Sequence, residues 1–273
     1  CVLFVRMGLW GVVVIASLWA FPETRTIDFV LIAWLAGVVL ACALGIVRVS
    51  SLVPSWGGGK IDLVWLIHGL KVALPFFIAS IAVRGIATFD RFFVEEFGGL
   101  EVVGAYVVFI GMATAVISFI DAGVVDFAYP KLVAAARTLD RGGFSSEMRK
   151  AWSRVLGLGA SLIVLCALGG HLFVNIVGKG VYLENIEVLY WLLFASAINV
   201  MSIVPHLGLY ALGYDQAIVR SQVIGFVVFL MLAISLSGSL GIKAVLIAVC
   251  AAWATIFVWK AAAYKAALLK FNY

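Results

Sequence analysis

Runs of about twenty residues with almost no charge recur along the whole 273-residue chain, separated by short polar connections. A run of that length matches the roughly 20 residues a helix needs to cross about 30 Å of hydrocarbon. One such run could be a core helix or a secretory signal; a regular series of them is neither. The balance of residue types agrees, with 65% hydrophobic and only 12% charged, and a mean hydropathy of +1.17. A water-soluble domain of this size could not cover its surface with so few polar groups.

The spans are helical for a simple reason. Strands of a membrane barrel alternate polar and apolar residues, whereas these runs stay apolar for five turns or more, and only a helix satisfies its own backbone over such a stretch. The expected fold is therefore all-α, a polytopic membrane protein of about eight transmembrane helices at 2–20, 28–48, 70–93, 101–128, 152–174, 186–212, 216–236 and 241–265. The longest connections, 49–69 and 129–151, read as polar loops, neither long enough to form a catalytic domain. The stretch 53–71, "VPSWGGGKIDLVWLIHGLK", couples Pro and Gly to an amphipathic beginning, which predicts a short interfacial helix in a linker. The expected organisation is residues 1–50 as two helices of one bundle, 51–69 as the linker, and 70–273 as a six-helix bundle. The chain opens at Cys1 inside an apolar run, so a fragment lacking preceding helices is expected.

Charge on alternate connections gives an orientation. Lys131, Arg137, Arg141, Arg149, Lys150 and Arg154 share one connection, and Arg48, Lys60, Arg220, Lys260, Lys265 and Lys270 lie at the same parity. That side is expected to face the cytoplasm. The opposite connections carry Glu23, Asp28, Asp90, Glu95, Glu96, Glu101, Glu184 and Glu187, with only scattered Arg25, Arg91, Lys179 and Lys243, and are expected to face outward. Trp19 and Trp191 on one side, with Trp152 and Trp259 on the other, suit interfacial anchors. Cys42, Cys166 and Cys250 fall within apolar runs as small hydrophobes, with no Cys-x-x-Cys spacing, so neither a disulfide framework nor a metal site is expected.

Polar residues inside the spans are the candidate functional groups. Ser80, Arg84, Thr88 and Arg91 are spaced four, four and three apart and form one stripe of the third helix. At about 1.5 Å per residue from Leu70, Arg84 lies roughly 21 Å into the membrane. A guanidinium at that depth costs a few kcal/mol, so it must snorkel, pair with an acid on a neighbouring helix, or face a wet cavity. Asp121 lies too far along the fourth helix to share its depth. A cavity-facing guanidinium would suit phosphate, whose oxygens it holds bidentately. Thr114, Ser118 and Asp121 form a similar stripe on the fourth helix, and Asn199, Ser202, His206 and Tyr210 on the sixth. Hydrogen bonding between packed helices is the alternative account of each. His206, after Pro205, reads as a packing histidine in preference to a proton relay, and Asp90 and Arg91 as solvated at a helix end or packed against the next helix. The basic cluster around Arg137 reads as a topology signal or as a contact for anionic headgroups.

No phosphate-binding Gly-x-x-x-x-Gly-Lys-Ser/Thr loop, His-Glu-x-x-His pair or Gly-x-Ser-x-Gly elbow occurs in the sequence. No catalytic residue, metal ligand, cofactor or nucleic-acid partner is expected, and the chain reads as something other than an enzyme.

The stretch 68–137, with "ALP" at Ala73 to Pro75, "DRFFV" at Asp90 to Val94, "GLEVVGAY" at Gly99 to Tyr106 and "YPKL" at Tyr129 to Leu132, resembles the seventh and eighth helices of bacterial polysaccharide flippases. These are the Wzx-like members of the multidrug/oligosaccharidyl-lipid/polysaccharide exporter superfamily. "GLYALGYDQAIVRSQVIGFVVF" from Gly208 and "GIKAVLIAV" from Gly241 are similar to the family's last three helices. Residues 1–50 match by hydropathy alone. The resemblance implies a partial two-lobe bundle comprising the fifth to twelfth helices, with the linker between lobes. It also implies transport of lipid-linked oligosaccharide across the bacterial inner membrane for surface polysaccharide, with membrane lipids and other polysaccharide-assembly membrane proteins as partners. Arg84, with Ser80, Thr88 and Arg91, would hold the anionic part of the substrate, and Asn199, Ser202 and His206 would line the opposite wall. Relatives tend to carry a small polar residue near position 84, so Arg84 departs from their pattern. The rival readings are a multidrug or cation antiporter, which should bury a carboxylate, a glycan polymerase or ligase with a long extracytoplasmic loop, and a scaffold that transports nothing.

Overall fold

A computed structural model describes residues 5–52 and 62–271. Helices follow one another with no strand among the described residues: α1 (Trp10–Ala20), α2 (Ile27–Leu52), α3 (Leu63–Ile120), α4 (Asp126–Arg137), α5 (Arg141–Val177), α6 (Gly180–Glu184), α7 (Ile186–Ala211), α8 (Asp215–Leu240) and α9 (Ile242–Phe271). Short π-helical turns at Val5–Leu9 and Asp121–Val125 and a 3-10 turn at Pro22–Thr24 complete the described chain. Among the described residues six helical stretches are long and apolar enough to cross a membrane, and the chain is an all-α, multi-pass membrane protein. The longest of the six, Leu63–Arg137, includes α3, which bends back on itself at Gly99. With φ 75° and ψ 175°, Gly99 occupies a region essentially reserved for glycine, and the change of direction happens there. The third and fourth expected helices are thus the two arms of α3. The first expected span contains an α-helix of only 11 residues, Trp10–Ala20.

The chain divides into two compact units, Cys1–Ile67 and His68–Tyr273. In the first, α1 ends where Phe21 turns extended (φ −130°, ψ 98°) and Pro22 opens the 3-10 turn. The free carbonyls of α1 are met locally: the Thr24 hydroxyl donates to Phe21 O (2.7 Å) and Ser17 O (3.1 Å), and Arg25 Nε donates to Leu18 O (3.0 Å). Gly37 of α2 lets the two helices close up, since a Cβ there would stand 2.9 Å from that of Trp10. Ala41 is the buried residue of α2; its other described apolar side chains are exposed or half-buried.

The second unit has a continuous core. Val94, Tyr106, Phe109, Val116 and Ile120 of α3 pack with Phe144 and Val155 of α5, Leu189 of α7, Phe229 of α8 and Ile256 of α9. Hydrocarbon offers no hydrophobic drive between helices, so close approach must come from small residues. Gly159 abuts Val200, Gly208 abuts Tyr264, and Gly225 abuts Ile256, each without space for a Cβ unless the neighbour moves. α9 packs on both α7 and α8.

Two sequence expectations are corrected. The connection expected over 129–151 is almost entirely helical, because α4 and α5 leave only Thr138, Leu139 and Asp140 between them. Thr138 Oγ1 donates to Ala134 O (3.0 Å), Leu139 takes a left-handed φ of 54°, and Asp140 Oδ1 caps α5 by accepting the Gly143 N–H (2.9 Å). The dense charges there lie on exposed faces, while Ala128, Leu132, Phe144, Met148 and Ala151 point inward. The helix expected from 70 begins at Leu63, capped by Asp62, whose Oδ1 accepts the N–H groups of Val64 (2.9 Å) and Trp65 (3.0 Å). The amphipathic stretch from 63 therefore runs into the span without a break, and 53–61 of the expected linker lies outside the described residues.

Candidate functional site

The first arm of α3 buries one face and exposes a mixed one, where Phe77, Ile81, Phe89 and Phe92 stand exposed beside the polar stripe. Ala79, Ala82, Ile86, Asp90 and Val94 point into the unit and are all buried. Ser80, Arg84, Thr88 and Arg91, the stripe read from sequence, are exposed on its surface. Neither Arg84 nor Arg91 forms an ion pair among the described residues. Thr88 Oγ1 donates to the Arg84 carbonyl (2.8 Å), so this hydroxyl is satisfied within its own turn. On the second arm Thr114 Oγ1 donates to Ile110 O (2.9 Å), Ser118 Oγ donates to Thr114 O (3.2 Å), and Asp121 is exposed where the π-helical turn starts. These hydroxyls bond back to their own helix and do not join neighbouring helices as the alternative account required.

The α7 stripe is different. Asn199 is half-buried, Ser202 is buried, and Ser202 Oγ donates to Asn199 Oδ1 (3.5 Å). His206 stacks on Tyr210 with ring centres 6.3 Å apart, and Tyr210 meets Tyr129 of α4 (5.2 Å) and Phe76 of α3 (6.4 Å). An aromatic cluster therefore ends the stripe, with His206 half-buried against Tyr210.

A polar centre that the sequence reading did not assemble lies where the two arms of α3 meet α7 and α9. Asp90 is 1% exposed, so of the two positions expected for it the structure has the one packed against the next arm and not the solvated one. Tyr106, directly across the Gly99 bend and equally buried, donates its hydroxyl to Asp90 Oδ2 (2.7 Å). Asp90 Oδ1 has no hydrogen-bond partner. Beside the carboxyl is a cavity of about 70 Å³ whose polar walls are Asp90, Thr114, Ser196 and Asn199, closed by Trp253 and aliphatic side chains. Ser196 Oγ donates to Ala113 O across the α3–α7 contact (3.2 Å). The fold thus brings two expected residues, Thr114 and Asn199, to one cavity with Asp90. Ser80, Arg84, Thr88, Arg91, Ser118, Asp121, Ser202 and His206 do not line it.

This volume admits a water molecule, whose share of liquid is about 30 Å³, or a small ion. A carboxyl this deep is costly to leave with one oxygen unpartnered, and a water, a proton or a small cation in the adjoining cavity would relieve that cost. Lys260 of α9 is a second buried charge, 4% exposed, with no ion pair among the described residues. No cluster of three or more His, Cys, Asp or Glu suited to a metal ion occurs among the described residues.

Two capacities are therefore separated in space: an exposed, unpaired guanidinium for anions, and an enclosed carboxyl with oxygen-bearing neighbours for a proton or small monovalent cation. Compared with protein-family models, with curated proteins and with solved structures, the chain finds no match.

Proposed function

We propose that the chain carries a polyprenyl-diphosphate-linked oligosaccharide across the bacterial inner membrane, without covalent chemistry, in the synthesis of a surface polysaccharide. The observation that carries this reading is Arg84, exposed on a membrane-spanning arm and in no ion pair among the described residues. Hydrocarbon is the least favourable neighbour for that group, and an aqueous cavity through which an anionic headgroup passes is the most favourable. Ser80 and Thr88, one turn to either side, add hydroxyls along the same stripe. The likeness of the segments around Ala73, Asp90, Gly99 and Tyr129 to polysaccharide flippases supports the same substrate class. Arg84→Ala in the native gene is expected to abolish surface glycan at an unchanged membrane level, and Arg84→Lys to retain part of it. Full surface glycan in Arg84→Ala would remove this residue, and the reading with it.

A second reading, a cation-coupled antiporter, is favoured by the Asp90 centre, since such a transporter needs a buried carboxylate. In everted vesicles Asp90→Asn is expected to eliminate substrate-induced collapse of a proton or sodium gradient. If a cationic dye collapses the gradient through the unaltered chain and a lipid-linked glycan does not, the antiporter reading replaces the flippase.

A further inference from the structure

A groove of the second unit lies between α8 and α9, on walls that share no residue with the polar stripes or with the Asp90 cavity. The two helices are pinned together at Gly225, where a Cβ would collide with Ile256. Toward the beginning of α8 the walls shrink to alanine, Ala217 on one side and Ala262 on the other, and a groove of about 850 Å³ opens. That is within the range of about 300–1,000 Å³ found for pockets that hold small ligands. Val258 and Trp259, 63% and 39% exposed, supply an apolar floor, which inside a membrane is filled by a hydrocarbon chain and not by water.

One end of the groove is charged. Arg220 lines it, is exposed, and has no ion pair among the described residues. Five residues of rise from Asp215 place Arg220 about 7.5 Å along α8, the depth of a lipid phosphate if α8 begins at the membrane surface. Asp215 points roughly 140° away around the helix and does not neutralise it. Lys265, seven residues after Val258, continues the groove-facing stripe of α9 by two turns and adds a second exposed cation. We propose that this groove is a binding site for one anionic glycerophospholipid of the leaflet beside the basic connections, its acyl chain against Val258 and Trp259 and its phosphate on Arg220. Basic pockets between membrane helices select anionic headgroups in this way, and a guanidinium holds phosphate oxygens with two parallel hydrogen bonds. The assignment rests on the membrane-spanning fold and stands or falls independently of the transported substrate.

The test uses the full chain in nanodiscs of phosphatidylcholine with and without phosphatidylglycerol, reading retained lipid by native mass spectrometry and the thermal unfolding midpoint. The unaltered chain is expected to retain phosphatidylglycerol selectively and to unfold a few degrees higher when it is present. Arg220→Gln is expected to lower retention about tenfold, the loss of one charge-assisted contact, and Arg220→Lys to restore part of it. Ala262→Phe should expel the lipid with Arg220 intact while keeping the midpoint measured in phosphatidylcholine alone. Equal retention by Arg220→Gln, equal retention of phosphatidylcholine, or displacement of phosphatidylglycerol by an isoprenyl diphosphate would each overturn the assignment.

Discussion

Asp90 and Tyr106 form a hydrogen bond whose loss should be felt throughout the second unit. Removing the Tyr106 hydroxyl takes a hydrogen-bond donor away from a buried carboxyl, a loss that costs about 1–3 kcal/mol. Tyr106→Phe, otherwise isosteric, is therefore expected to lower the unfolding midpoint of the detergent-solubilised protein, and the loss should shrink when Asp90→Asn is already present because the two changes share one bond. Additive effects would mean that the hydrogen bond contributes nothing. The sequence held half of this pair in plain view: Ala79, Ala82, Ile86, Asp90 and Val94 are spaced three, four, four and four apart, so the acid falls in line with the buried face. A reading that links polar residues to polar residues selects Ser80, Arg84, Thr88 and Arg91 and passes over the one polar group on the apolar stripe. Tyr106 could not be paired with it before the Gly99 bend was known, since 16 residues separate them. Lys260, counted from sequence among the charges of the cytoplasmic connections, is instead buried within α9, standing four residues after the buried Ile256.

Helices were the legible level, and the reason is physical: a span must be apolar for its full length, so its existence is written in composition. Their ends were less clear, because ends depend on single capping groups. Asp140 turns an expected loop into the start of α5, and Asp62 moves the start of α3 back to Leu63, each by satisfying backbone N–H groups that no hydropathy pattern records. Dense charge also hid an amphipathic pattern around Ala128, Leu132, Phe144 and Met148, whose spacing is helical once Lys131, Arg137 and Arg141 are set aside. The bend that creates the α3 hairpin has its glycine-only backbone conformation at Gly99. At φ 75° and ψ 175° any side chain costs about 1–3 kcal/mol, although nothing stands within 4 Å of where its Cβ would be. Gly99→Ala should therefore lower the unfolding midpoint through backbone strain and not through a clash, whereas Gly104→Ala, within the second arm and equally uncrowded, should leave it unchanged or raise it slightly. A midpoint unaffected by Gly99→Ala would show that the bend does not need this conformation.

For the molecule as a whole the question is which exposed surface meets water and which meets lipid. Exposure in a membrane protein does not separate the two, and composition must: Val164, Leu165 and Leu168 of α5 and Met231 and Ile234 of α8 are exposed and apolar, as lipid-facing residues should be, while Ser80, Arg84 and Thr88 are exposed and polar. A guanidinium facing hydrocarbon costs at least about 2.5 kcal/mol on the most permissive scale, and the stripe places hydroxyls directly before and after it, an arrangement that suits water and gains nothing from acyl chains. Single cysteines therefore divide the surface. Ser80→Cys and Arg84→Cys in inside-out or right-side-out vesicles are expected to react with a charged, membrane-impermeant thiol reagent. Leu165→Cys and Ile234→Cys are expected to resist it and to react only with a lipophilic maleimide. The native thiols do not confuse the measurement if Cys42, Cys166 and Cys250, together with Cys1, are first replaced by alanine. Protection of Arg84→Cys by added lipid-linked oligosaccharide would tie the aqueous stripe to the substrate. An Arg84→Cys variant silent to the charged reagent in both vesicle orientations and reactive to the lipophilic one would place that face against lipid, and Arg84 would then be a snorkelling residue with no part in transport.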